Sequence, residues 1–147
     1  MKKLLVTLIV LLIANTDSFS QTESKASILF DGLYIAKTGS VPAANLEIFT
    51  YLRFYEDGTV YLQAVSSNDT EAVSKWFGRD KKFSQKGTYK IEGATIRIFL
   101  DNKNTADAKL EGDVETNYQG FIKQKSELCM IRNKEKEEHC FVFTKTN

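Results

Sequence analysis

The chain contains a single histidine, His139, among 147 residues. Nucleophilic triads and many general-base mechanisms depend on that residue type, so most hydrolytic chemistry has one place to rest. His139 adjoins Cys140, and neighbours along a strand point to opposite faces, which keeps the imidazole and the thiol apart. A surface position is therefore expected for it. Two cysteines and one histidine fall short of a zinc ligand set, so neither a metal nor another cofactor is expected. Charge of one sign is missing as well. With Lys2, Lys3 and Asp17 set aside, 18 basic and 18 acidic residues remain, scattered along the chain. Nucleic acid or an anionic membrane surface would demand a positive excess, and neither is an expected partner. No apolar run approaches the roughly 20 residues that cross a bilayer as a helix. One proline, eight glycines and no repeat or low-complexity tract describe one compact domain without a linker.

The N-terminus carries a different pattern. Lys2 and Lys3 precede an apolar run from Leu4 to Ala14, and Ser18-Phe19-Ser20 supplies the small-x-small arrangement that a signal peptidase reads. Residues 1–20 are expected to be a removed signal with cleavage before Gln21, leaving residues 21–147 as a single exported domain, periplasmic or extracellular. No cysteine follows the apolar run, so no lipid attachment is indicated. Export places Cys129 and Cys140 in an oxidising compartment, where a disulfide between them is the expected state. Asn68-Asp69-Thr70 matches the N-glycosylation acceptor pattern, which bears only on a eukaryotic secretory pathway, whereas the short lysine-led signal is of a bacterial kind.

Alternation of apolar residues predicts an all-β domain. Between Phe49 and Val65, a three-residue loop at Glu56-Asp57-Gly58 sets Phe54 opposite Val60, Leu52 opposite Leu62 and Thr50 opposite Ala64. Tyr51, Arg53 and Tyr55 then share the other face with Tyr61 and Gln63, a face that is either the outer surface or a barrel lumen. A two-residue turn at Gly93-Ala94 pairs Ile91 with Ile96, Tyr89 with Ile98 and Gly87 with Leu100. Near the C-terminus, placing Cys129 opposite Cys140 sets Leu128 against Phe141, with Met130 and Phe143 on the same face. Residues Ile28 to Lys37, Ala108 to Gly112 and Thr116 to Lys123 read as further strands. Asp69 or Asn68 caps a short helix with Ala72, Val73, Trp76 and Phe77 on one side. The expected architecture is an antiparallel up-and-down barrel of eight or nine short strands with one short helix. An open β-sandwich is the alternative.

Gly32-Leu33-Tyr34, near the start of the first strand, resembles the Gly-x-Trp of the lipocalin-like small secreted β-barrels, with tyrosine in place of tryptophan. The resemblance implies a cup-shaped interior that holds a small apolar ligand. Aromatic side chains are the other suggestive feature. Tyr34, Tyr51, Tyr55, Tyr61, Trp76 and Phe77 are candidates for a ligand rim or a protein interface, since tyrosine and tryptophan join a wide apolar face to a polar handle. The same residue types are also what strands favour for packing. Loop carboxylates at Asp101, Asp107, Glu111 and Asp113 lie among Asn102, Lys103, Asn104 and Gly112, an ordinary loop composition, and Lys103 breaks the calcium-loop pattern. The chain thus reads as a non-enzyme that binds a small apolar or amphipathic ligand, or as an interaction module with a packed core that docks another exported protein.

Overall fold

The computed structural model describes residues 27–77, 85–101, 116–133 and 136–146. Eight antiparallel strands follow one another around a closed barrel: β1 Gly32–Val41, β2 Leu46–Phe54, β3 Thr59–Val65, β4 Gln85–Glu92, β5 Thr95–Leu100, β6 Thr116–Gln124, β7 Glu127–Arg132 and β8 Glu138–Lys145. One helix, α1 Thr70–Trp76, lies between β3 and β4. The ladder from β8 back to β1, with Tyr34 opposite Phe143, closes the wall and replaces the sandwich alternative. Closure also pairs both edges of the sheet.

The strands form because apolar residues recur at every second position, and one register turns Leu52, Phe54, Ile96, Ile98, Leu128 and Phe141 inward together. Leu52 pairs with Leu62 and Phe54 with Val60, Ile91 with Ile96 and Tyr89 with Ile98, Leu128 with Phe141, as the sequence pattern predicts. Turn chemistry fixes those registers. Gly58 takes the left-handed conformation at φ 82°, its amide donating to the Tyr55 carbonyl at 3.1 Å, and Gly93 takes φ 61°. The inward side chains Tyr34, Ala36, Leu52, Phe54, Val60, Leu62, Ile96, Ile98, Leu100, Ile122, Leu128, Met130 and Phe141 form one buried cluster.

The predicted first strand begins too early. Ile28 to Phe30 are not strand; Ile28 is instead buried in the barrel's interior cluster, and β1 starts at Gly32. A Cβ at position 32 would collide with the Thr144 carbonyl and the Phe143 ring, so glycine is what lets β1 approach β8 at the seam. The predicted strand at Ala108 to Gly112 and the expected signal segment lie outside the described residues.

Helix α1 begins where the Asp69 carboxylate accepts the Ala72 amide at 3.0 Å. It packs on the outside of the barrel. Val73 and Phe77, four apart, are buried against Leu33, Tyr51 and Tyr61. Trp76 was expected on that side but turns outward and is 60% exposed, because the apolar stripe of so short a helix is only one residue wide.

Candidate functional site

Both ends of the barrel are built from the same alternation but are finished differently. The base is the end that carries the turns at 55–58, 93–94 and 125–126 and the N-terminal segment. Its interior is filled by interlocked rings. Tyr34 meets Phe54 edge to face at a centroid distance of 5.5 Å and Phe143 at 5.1 Å, and Phe54 meets Tyr89 at 5.0 Å. The Tyr34 hydroxyl accepts the Leu29 amide at 2.8 Å and donates to the Lys125 carbonyl, tying the N-terminal segment to the β6–β7 turn. The Tyr89 hydroxyl donates to the Tyr55 carbonyl at 2.8 Å. Burial pushes the ionisation of Tyr34 and Tyr89 above the usual phenol range, with nearby carboxylates adding to the effect.

The opposite end, the mouth, is lined by short side chains on one side. Ala36, Thr50 and Ala64 are successive cross-strand partners on β1, β2 and β3. Thr50 is buried, and its hydroxyl lies 2.8 Å from that of Thr38, where β1 carries a bulge. Among the described residues, ladder pairing between β3 and β4 begins at Leu62 opposite Gln85, and Ala64 lies two residues beyond it on β3. Ala64 is exposed although its register points inward: solvent reaches the inner face of the wall there. On the other side of the mouth, Tyr118 of β6 faces Arg132 of β7, and Met130 of β7 faces His139 of β8. Met130 is buried in the interior cluster, so this register is the inward one. His139 is half-buried on the inward face at the mouth, a correction to its expected surface position; Cys140 does point the other way, as alternation requires.

The candidate aromatics divide between three environments. Tyr34 alone of them belongs to the lumen cluster. Tyr51 and Tyr61 face outward, beneath α1, and are buried there; Phe77 is buried with them. The Tyr51 hydroxyl donates to the Ser67 carbonyl at 2.8 Å, and burial raises its ionisation, outweighing a hydrogen bond from Thr70. Tyr55 meets Tyr61 edge to face at 5.8 Å with the Arg53 guanidinium above it, and Arg53 also donates to the Phe77 carbonyl at 3.2 Å. The choice between outer surface and lumen for the tyrosine face is thereby resolved as the outer surface under a helical cover. Trp76 is the candidate that solvent reaches freely.

Cys129 and Cys140, direct cross-strand partners, are joined by a disulfide on the outward face. Glu127 lies close enough to complete a three-donor group with the two sulfurs, but sulfurs bonded to one another are not metal ligands. Lys123 sits 3.6 Å from the Cys140 sulfur and 3.6 Å from Glu127. Of the loop carboxylates, Asp101 is exposed just after β5, and Asp107, Glu111 and Asp113 lie outside the described residues. Asn68 is exposed immediately before the helix cap.

Sequence reasoning missed the residues of the mouth. Thr38, Ala64, Arg132 and His139 are small or polar, and the signal that finds them is register, carried to the end of each strand. Searches against protein-family models, curated proteins and solved structures find no match for this chain.

Proposed function

We propose that the protein is an exported, non-enzymatic carrier that holds a small amphipathic molecule in the mouth of a lipocalin-like barrel. The observation that carries this reading is the solvent exposure of Ala64 on the inward register, beside Ala36 and Thr50, above a base that aromatic rings have already filled. Short side chains at the open end of a barrel leave room where long ones would fill it, and a few hydroxyls amid apolar residues orient a guest. Native mass spectrometry of the protein purified gently from its own compartment tests the reading. An added mass that disappears on denaturation is expected; a mass equal to the polypeptide alone, unchanged after incubation with lipid and pigment extracts, refutes it.

A second reading has its own support. Phe121, Ile131 and Val142 are 55%, 41% and 57% exposed on the outward face of β6, β7 and β8, around the disulfide. Contiguous exposed apolar residues of this kind suit a protein partner. Phe121→Ser with Val142→Ser abolishes partner capture under this reading and leaves any bound small molecule in place.

A further inference from the structure

We propose that the disulfide between Cys129 and Cys140 is a thiol-exchange site, entered at Cys140, that captures a thiol carried on an apolar chain. The site lies on the outer face of the barrel and is independent of the carrier reading. Its two sulfurs stand in unlike surroundings. Cys129 is fully buried and Cys140 is exposed, so a nucleophile arriving from solvent meets the Cys140 sulfur. An ion pair lies along the same bond. Lys123 is 3.6 Å from the Cys140 sulfur, Glu127 is 3.7 Å from the Cys129 sulfur, and the two charged groups are 3.6 Å apart. The positive end is at the exposed sulfur and the negative end at the buried one. Also on this face are Glu138, two residues along β8 from Cys140, and Lys37 of β1, which pairs with Glu47. The β7–β8 ladder runs on both sides of the pair, from Glu127 opposite Val142 to Ile131 opposite Glu138, so opening the bond leaves both sulfurs in register.

A thiol that has given its proton to solvent attacks the Cys140 sulfur as the thiolate, drawn there by the Lys123 ammonium. A bond forms between the incoming sulfur and Cys140, the bond to Cys129 breaks, and Cys129 leaves as a thiolate that takes a proton back from solvent. The incoming thiol is oxidised and Cys129 is reduced, so no other oxidant or reductant is consumed. Buried beside the Glu127 carboxylate, Cys129 stays protonated, and a thiol is a far weaker nucleophile than a thiolate. Re-closure is therefore slow, and the captured chain is held. The rim selects that chain: Phe121 stands opposite Cys129, Ile131 is two residues along from Cys129 and Val142 two residues along from Cys140, all three exposed. A cysteine between apolar neighbours covers this rim as its sulfur reaches Cys140, whereas charged glutathione leaves it wet.

The test incubates the native, oxidised protein with glutathione or with a short peptide bearing one cysteine between leucines, quenches with acid and maps the adduct by mass spectrometry. The adduct should sit on Cys140 without denaturant and form several-fold faster with the peptide, a preference that Phe121→Ser removes. Glu127→Gln should shorten the life of the adduct. An adduct that forms only in urea, or sits mainly on Cys129, overturns the proposal and leaves the disulfide a staple; equal rates for the two thiols overturn the apolar substrate class. A second measurement follows the reduced protein. Iodoacetamide should alkylate Cys140 first, with a midpoint roughly one pH unit below the ordinary thiol value of about 8.5. Lys123→Gln should remove that shift and Lys123→Arg should keep it. Equal alkylation of the two cysteines, or a midpoint that Lys123→Gln leaves unmoved, overturns Cys140 as the point of entry.

Discussion

Replacing Tyr34 by phenylalanine removes one oxygen atom and tests how the base of the barrel is held shut. The ring is fully buried, edge to face with Phe54 and tilted against Phe143, contacts that phenylalanine keeps. What disappears is the bridge from the Leu29 amide through the hydroxyl to the Lys125 carbonyl. Each such hydrogen bond contributes about 1 kcal/mol net, and orphaning a buried partner adds up to roughly 3 kcal/mol. Leu29 is half-buried and Lys125 exposed, so water reaches both orphaned groups and the lower end applies: about 2 kcal/mol. For a domain of this size that is a fall in Tm on the order of 6 to 10 °C. Tyr34→Ala, which also deletes the ring, should cost about 5 kcal/mol and leave little folded protein. Burial raises the Tyr34 pKa from 10.0, so the folded state favours the neutral phenol. The stability linked to that preference is fully present below the unfolded phenol's pKa and is lost as pH rises through the higher folded value. Urea melts of wild type and Tyr34→Phe between pH 8 and pH 11, approximate bounds around the phenol value, should converge at the alkaline end as wild type loses what the variant lacks. Tyr51 and Tyr89 are raised in the same direction and leave the variant a residual alkaline loss. A variant within about 0.5 kcal/mol of wild type, with a parallel alkaline profile, refutes the clasp.

Four other outcomes follow from the packing. Leu52→Asp and Tyr51→Asp should both prevent folding, since the first lies in the lumen and the second under α1, whereas Gln63→Asp on that same outward register should shift the urea midpoint little. Gly32→Ala should cost about 1–3 kcal/mol and raise amide exchange along β1 and β8 ahead of the other strands, because the added methyl meets β8 directly; uniform exchange counts against a seam defect. Thiol titration of the denatured, unreduced protein should find no free sulfhydryl, and replacing both cysteines by alanine should cost about 3 kcal/mol for a loop closed across 11 residues. Ala64→Leu should leave the melting temperature near wild type while abolishing retention of any guest; a large loss of stability would show that Ala64 borders packed core instead of open space.

The wall of the barrel was legible in the sequence because alternation and turn chemistry are local. Placing Phe54 opposite Val60 needed only the Asp57-Gly58 loop, and Cys129 opposite Cys140 needed only the apolar parity of Leu128 and Phe141. Legibility failed where a second layer intervened. Tyr51 and Tyr61 have the composition of a rim, but α1 folds back over them, and no pattern within Phe49 to Val65 signals a cover supplied by Val73 and Phe77. Ile28 failed for the opposite reason: it continues the apolar reading of β1 yet is used to fill the interior, a choice made by the Tyr34 hydroxyl holding the Leu29 amide. His139 was expected at the surface because alternation separates it from Cys140, an argument that leaves open which of the two faces inward. Its register says otherwise, since opposite buried Met130 an inward direction is obligatory.

The devices that hold the barrel together are spread unevenly between its two ends. Edge-to-face ring packing and the Tyr34 clasp hold the base, α1 braces the outside of β1 to β3, and the disulfide braces β7 and β8 on the outward face. None of these three devices uses an inward position near the mouth. Stability is therefore carried largely away from Ala36, Thr38, Thr50 and Ala64, which need not be large for the barrel to close. The short side chains of Ala36, Thr50 and Ala64, set above the rings of the base, are the feature on which the proposed carrier function rests.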